Sequence, residues 1–306
     1  MKPRRSILSV PGHIAKMHAK AAGTSADVIM LDLEDSVPVN EKDNARQRVI
    51  DSLTAIDWGT KTITARINAL DTAFGYRDLI ALAEQGGLVL DAIVVPKVDH
   101  CGDVHFTERL LHGAELHRGL SRPIGIEAII ESAIGLEKIS EIAGASDRLK
   151  TLVFGVADYS ASIGARLASI SGHGEKEETL YPGHRWNFAL SRIVMTAKAH
   201  GLMAIDAPFG NYTDSDGLRR SALIACALGC DGKWAIHPDQ IETLNSVFSP
   251  SAEDIARARK VLDAYDEACA KGRGAASVDG RMIDAATVRL AKQLWSQAAH
   301  LGLVKP

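Results

Sequence analysis

Eight short apolar runs, each followed by a stretch long enough for a helix, fill the chain up to about residue 245 and restrict its fold more than any other feature. The runs are RSILSV (5–10), DVIMLDL (27–33), TITARI (62–67), DAIVVPK (91–97), IGIEAII (124–130), LKTLVFGV (149–156), LMAID (202–206) and KWAIH (233–237). Near-continuous Val, Ile and Leu suit strands covered on both faces, the habit of parallel sheets. The segments at 13–23, 41–56, 76–85, 106–118, 134–143, 185–200 and 218–228 have helical length. Eight such alternations predict a (β/α)8 TIM barrel over residues 1–246 rather than an open doubly wound sheet. A dinucleotide fold is disfavoured because no GxGxxG follows the first run, and a P-loop is absent.

Past residue 246 the alternation stops. SPSAEDIARARKVLDAYDEACAKG opens on a Ser-rich cap and continues as an amphipathic helix. GRGAAS reads as a link, and VDGRMIDAATVRLAKQLWSQAAHLG as a turn plus a second helix, so residues 247–306 are expected to form a helical extension or lid. The length of 306 residues accommodates a barrel and such an appendage. A net charge of −3 with mixed signs gives no reason to expect nucleic acid or an anionic membrane as partner. The basic N-terminus lacks a signal-peptide run, and no stretch nears the ~20 apolar residues of a membrane span. The four cysteines form no CxxC pair, and Cys226 and Cys230 sit in the apolar run ALIACALGC as core residues. A reducing cytoplasm is the simplest compartment.

In a (β/α)8 barrel the chemistry gathers where the strands end, because the βα loops converge there. Almost every run here delivers a polar group to that rim: Asp32, Glu34 and Asp35, then Arg66 and Asn68, Lys97, Glu131, Asp158, Asp206 and His237. Any one of these alone reads better as a helix cap or ion pair; the repetition points to a site. Glu131 and Asp158, on adjacent strands, would repel each other unless a cation lay between them. Few protein oxygens plus water is the usual coordination of Mg²⁺, whereas zinc spacing and HExxH are missing. Arg66 offers a planar fork for a substrate carboxylate. The loop 171–184, with His173 and His184, reads as a mobile segment over the site, its histidines solvated. GxSxG is absent, and Lys97 and Lys233 are the strand-associated lysines open to Schiff-base chemistry or to anion contact.

RRSILSVPGH, DVIMLDLEDSVPVNEKDNAR, ARIN, VVPKV, IEAIIESAIGL, VFGVADYSASIG, IDAPF, DGKWAIHPDQI and DGRMIDAATV follow one another in an order that resembles the citrate lyase β-subunit-like branch of the HpcH/HpaI aldolase family, which includes malyl-CoA and citramalyl-CoA lyases. The resemblance covers nearly the whole chain; Ser9 departs from it, standing where the family usually has an aromatic. It implies a TIM barrel with Mg²⁺ on Glu131 and Asp158, a substrate-binding Arg66, and homotrimers or hexamers. It also implies that Asp284 rides on a C-terminal lid that covers a neighbouring subunit's site.

The implied reaction is a retro-Claisen cleavage of a 3-hydroxy-acyl-CoA, (S)-citramalyl-CoA or L-malyl-CoA, to acetyl-CoA and a 2-oxo acid, pyruvate or glyoxylate. Arg66 would clamp the carboxylate, Glu34 and Asp35 would hold metal-bound water and orient Arg66, and Asp284 would serve the enolate carbon as acid/base; its other reading is the N-cap of the last helix. Arg4, Arg5, Lys16 and Lys20 are candidates for CoA's phosphates. Two rivals share the site: a citrate lyase β subunit working on citryl thioester of an acyl carrier protein, and a malyl-CoA thioester hydrolase. The extended C-terminus is expected to favour the stand-alone CoA enzyme.

Overall fold

The computed structural model describes residues 2–165 and 185–305; the predicted loop 171–184, with His173 and His184, lies outside them. Eight parallel strands close into a barrel in sequence order: β1 (Ser6–Pro11), β2 (Val28–Asp32), β3 (Thr62–Arg66), β4 (Ala92–Val95), β5 (Gly125–Ile130), β6 (Leu149–Phe154), β7 (Met203–Asp206) and β8 (Gly232–Ala235). β8 returns to pair with β1, so the sheet has no free edge. The described helices up to residue 247 are α1 (Ala15–Ala22), α2 (Lys42–Ala55), α3 (Gly75–Gly86), α4 (Cys101–Arg118), α5 (Ala133–Glu137), α6 (Ile139–Ala143), α7 (Val156–Ser162), α8 (Asn187–Ala199), α9 (Ser215–Leu228) and α10 (Ile241–Val247). The barrel class expected from the eight apolar runs is the one observed.

Strand period decides which side chains reach the site. Ile7, Val28, Met30, Val94, Ile129, Val153, Ile205 and Trp234 pack together as a buried cluster. Two residues beyond Met30 and Ile129 stand Asp32 and Glu131, on the same side of their strands and at the C-terminal rim. Asp206 directly follows Ile205 and Lys233 directly precedes Trp234, so both take the other face of the sheet. There they form a wholly buried ion pair, Nζ to Oδ2 at 2.5 Å, which withdraws Asp206 from the rim role expected of it.

Two local expectations are corrected. The stretch 134–143 is two short helices, because Lys138 leaves helical geometry at φ −91°, ψ 11°. The run ending at 156 stops as a strand at Phe154, and Asp158 lies in the first turn of α7, where the positive end of the helix dipole favours a carboxylate.

The chain divides into two compact units, Arg4–Asn245 and a second made of Ser246–Pro306 with the first three residues. The second unit contains α11 (Ala252–Ala270), a hairpin of β9 (Ala276–Val278) and β10 (Arg281–Ile283), and α12 (Ala285–His300). Ser251 caps α11 reciprocally with Asp254, as its Ser-rich start foretold. Where a plain turn was expected, Asp279-Gly280 with φ of 50° and 75° closes the two-stranded hairpin, the geometry that Asp-Gly favours. Ala258, Val261, Ile283, Val288 and Ala291 form this unit's own core. No described helix is long and apolar enough to cross a membrane.

Candidate active site

Asp32 and Arg66 end adjacent strands in direct register. Both are buried, and the guanidinium grips the carboxylate two-handed, Nε to Oδ1 and Nη2 to Oδ2, each at 2.7 Å. Burial opposes both charges, but each partner outweighs it for the other: Asp32 is held below the usual carboxylate range and Arg66 stays protonated. Asp32 also accepts the backbone N–H groups of Glu34 (2.9 Å) and Ser36 (3.1 Å), so the loop after β2 wraps around this pair. Lys42 fastens the same loop from α2 by donating to the carbonyls of Leu33 and Glu34. Nη1 of Arg66 lies 2.9 Å from Glu34 Oε2 and donates to Asp35 Oδ2 at 3.1 Å, while the guanidinium sits 5.6 Å over the Trp234 ring. The open fork expected of Arg66 is therefore corrected. Its two-handed face belongs to Asp32, and its Nη1 is shared between Glu34 and the more exposed Asp35.

Glu131, just past β5, is 5% exposed. Its Oε1 accepts the backbone N–H of Lys97 at 2.7 Å, and the Lys97 ammonium donates to Glu34 Oε1 at 2.8 Å. Burial, with Glu34 next to it and Asp158 beyond, pushes the Glu131 carboxyl up to about 8. Two cavities, of about 410 and 310 Å³, share Glu131 and Asp158 in their walls. The first is polar, with Lys97, Asp99 and Ser132; the second runs past Arg66 along Phe154, Val156, Trp234 and Ile236. A carboxyl raised by burial and by neighbouring carboxylates, sharing two cavity walls with Asp158, fits a divalent cation. Among the described residues no three His, Cys, Asp or Glu side chains form a ready metal cage, so such a cation would have two carboxylates and otherwise water or substrate oxygens. Mg²⁺ tolerates that poverty of protein ligands better than Zn²⁺.

Gly155 is what makes room for Glu131: a Cβ there would stand 2.4 Å from both Glu131 Cβ and Oε2. Gly155→Ala is therefore expected to push Glu131 off the Lys97 N–H, lowering stability by about 1–3 kcal/mol and weakening Mg²⁺-dependent activity. Wild-type Mg²⁺ activation in that variant would show that the contact is dispensable.

The other expected residues separate. Arg4 precedes β1 at the opposite end of the barrel, 8% exposed and paired with Glu127; Arg5 beside it is tied to Asp27 through its backbone N–H, Nε and Nη2. Neither is at the rim, which corrects their reading as CoA contacts: residues that enter a strand lie at the end away from the βα loops. Lys16 and Lys20 are exposed on α1. His237 caps the turn Pro238–Gln240 and stacks on Tyr212 at 4.6 Å. Asp284 caps α12, its Oδ1 accepting from the N–H groups of Thr287 and Ala286 and from the Thr287 hydroxyl, bonds that hold its carboxyl below the usual range. Sequence reasoning missed four site features: the partnership of Asp32 with Arg66, the bond from the Lys97 backbone, the shelf of Trp234 and the clearance at Gly155. The alternation MLDLED did carry a signal for Asp32, two residues beyond Met30.

The profile of the HpcH/HpaI aldolase/citrate lyase family matches residues 5–238. An L-malyl-CoA/beta-methylmalyl-CoA lyase of Cereibacter sphaeroides is 40% identical over 302 residues, 97% of this chain and 95% of the relative. A citrate lyase subunit beta of Leuconostoc mesenteroides is 36% identical over 303 residues, again 97% and 95%. That coverage removes the expectation that β subunits are set apart by a shorter C-terminus. Among solved structures, protein CitE from Mycobacterium tuberculosis, in complex with magnesium, acetoacetate and coenzyme A, superposes with a TM-score of 0.77 at 30% identity, over 97% of this chain and 98% of that one.

Proposed function

The chain belongs to the HpcH/HpaI aldolase/citrate lyase family and is a carbon–carbon lyase, and on that premise we propose that it cleaves a 3-hydroxy-dicarboxylyl-CoA thioester, L-malyl-CoA, β-methylmalyl-CoA or (S)-citramalyl-CoA, to an acyl-CoA and a 2-oxo acid. The observation that carries this reading is the meeting of Glu131, Asp158 and Arg66 in the wall of one cleft. Glu131 and Asp158 would hold Mg²⁺, as magnesium accompanies coenzyme A in the Mycobacterium structure. Held there, the ion would supply Lewis acidity, favouring ionisation of the hydroxyl that is to become the oxo group.

Arg66, preset by Asp32, binds the substrate carboxylate through Nη1, with Asp35 yielding its place. Phe154, Val156 and Trp234 keep water from the carbon chain on that side. The bond between the carbinol carbon and the α-carbon of the thioester breaks, its electron pair passing to the thioester as an enolate while the hydroxyl proton passes to the carboxylate of Asp284, which its helix-cap bonds keep ionised until then. The enolate α-carbon then takes a proton. Asp284 is the acid/base for that step, through the oxygen its helix cap does not use, carried on a lid to the site of a neighbouring subunit in a homotrimer or hexamer. Lys16 and Lys20 are the basic residues proposed for CoA's phosphates.

The 36% identical citrate lyase subunit keeps a second reading in play, a component acting on citryl thioester of a carrier protein. The purified chain alone, given Mg²⁺ and in turn each of the three free CoA thioesters and the carrier-bound citryl thioester, decides between them. Acyl-CoA plus 2-oxo acid is the expected result. Turnover of carrier-bound citryl thioester alone would favour the second reading, and free malate with CoA would make the protein a hydrolase.

A further inference from the structure

Lys97 and Asp279 are the two non-glycine residues at positive φ among those described, and only Lys97 faces the cleft. At φ 51° it occupies the left-handed region, where the Cβ of a non-glycine residue crowds the backbone. It sits between Pro96 and Val98, where the chain leaves β4. In that conformation its backbone N–H meets Glu131 Oε1, while Gly155 leaves clearance for Oε2. The side chain turns the other way, to Glu34, which pairs with Arg66.

We propose that Lys97 is a positioning residue: its left-handed backbone pins Oε1 of Glu131 and so presents Oε2 alone, as a one-oxygen ligand, to the cation proposed between Glu131 and Asp158. The inference rests on that proposed metal site. The strain has a function because Val98 just beyond is held by its N–H to the Ile129 carbonyl at 3.2 Å: with that end fixed, a residue in ordinary β geometry fits only if the 96–97 peptide turns, carrying its N–H away from Glu131 and freeing the carboxylate to swing. The ammonium has a separate task, offsetting the charge of Glu34. Backbone and side chain of one residue thus serve different carboxylates, and substitution can divide them.

The division gives the experiment. Glycine adopts positive φ at no steric cost, so Lys97→Gly keeps the N–H in place and removes only the ammonium. Valine, β-branched, is a strong outlier there, so Lys97→Val loses both. Binding of Mn²⁺ to the full-length metal-free protein is followed by the electron paramagnetic resonance of the free ion, with melting temperatures recorded alongside. Lys97→Gly is expected to bind within ~3-fold of wild type and Lys97→Val ~10-fold or more weakly, the range for removing a group that orients a ligand. Equal weakening in both variants would assign the effect to the ammonium and overturn the inference, as would unchanged affinity in Lys97→Val. Should Lys97→Val fail to fold, Lys97→Gly still decides, since a loss as large as that of Glu131→Ala contradicts a backbone role. Wild-type protein that binds no Mn²⁺ would instead remove the metal site itself, a distinct failure.

Discussion

Glu131→Gln is expected to abolish Mg²⁺-dependent cleavage, by at least ~10³-fold in kcat, while making the metal-free protein more stable at pH 8. The two effects have one origin. Burial among Glu34 and Asp158 raises the Glu131 carboxyl from 4.5 to about 8, so the folded metal-free protein holds a proton that the unfolded chain has released. A raised carboxyl contributes stability that is complete below 4.5 and is lost as pH rises through about 8. Metal-free wild type should therefore weaken steadily across that window, and added Mg²⁺ should restore it by binding only the folded form. Glutamine keeps the shape, carries no charge to bury and gives the cation nothing to neutralise. Its unfolding free energy from urea titration should be flatter in pH, exceed that of metal-free wild type by more than about 1 kcal/mol at pH 8, and ignore Mg²⁺. Urea titrations at pH 6 and 8, with chelator and with Mg²⁺, check this. A Glu131→Gln protein that Mg²⁺ still stabilises would place the ion elsewhere.

What could be read from the sequence was whatever repeats along it. The apolar runs gave the barrel because eight strands buried on both faces leave an unmistakable period, and the closed ring of β1 to β8 follows it. Glu131 and Arg66 were found because strand ends in this architecture point at one cavity. Asp206 was misjudged for a related reason: at a strand's last residue one step of the pleat separates cavity from helix layer, and only the pairing with Lys233 reveals the face. Arg4 and Arg5 were misjudged because charge alone does not say which end of the barrel a residue occupies.

The site's fine structure left weaker traces. A lysine at φ 51° has no marker in composition, and the clearance that Gly155 gives Glu131 depends on two strands meeting in one register. The sequence reads Asp284 both as a helix cap and as a catalytic group; its Oδ1 is the cap, which leaves only its other oxygen for the proposed second role. Contacts made by one backbone atom or one missing methyl lie below what spacing can encode.

The pairing of Asp32 with Arg66 gives the second large effect. Both groups are nine-tenths buried or more, and Asp32 spends both oxygens on the guanidinium while also receiving two backbone N–H groups. Removing one member of such a pair strands the other's charge in the interior. Asp32→Ala is therefore expected to cost about 3–5 kcal/mol of stability and, with the fork no longer aimed, ~10²-fold or more in kcat/KM. Asp32→Asn keeps the shape and one acceptor, and should fall between. The double replacement Asp32→Ala with Arg66→Met removes both charges of the pair and leaves Glu34 still answered by the Lys97 ammonium, so much of the stability should return while activity stays lost. That split separates two roles which either single variant confounds: the pair's cost to the fold and its value to the reaction. Denaturant midpoints and steady-state kinetics on the three variants measure both. A double variant as unstable as Asp32→Ala would mean that the backbone bonds to the loop after β2, not the charge on Arg66, are what Asp32 protects.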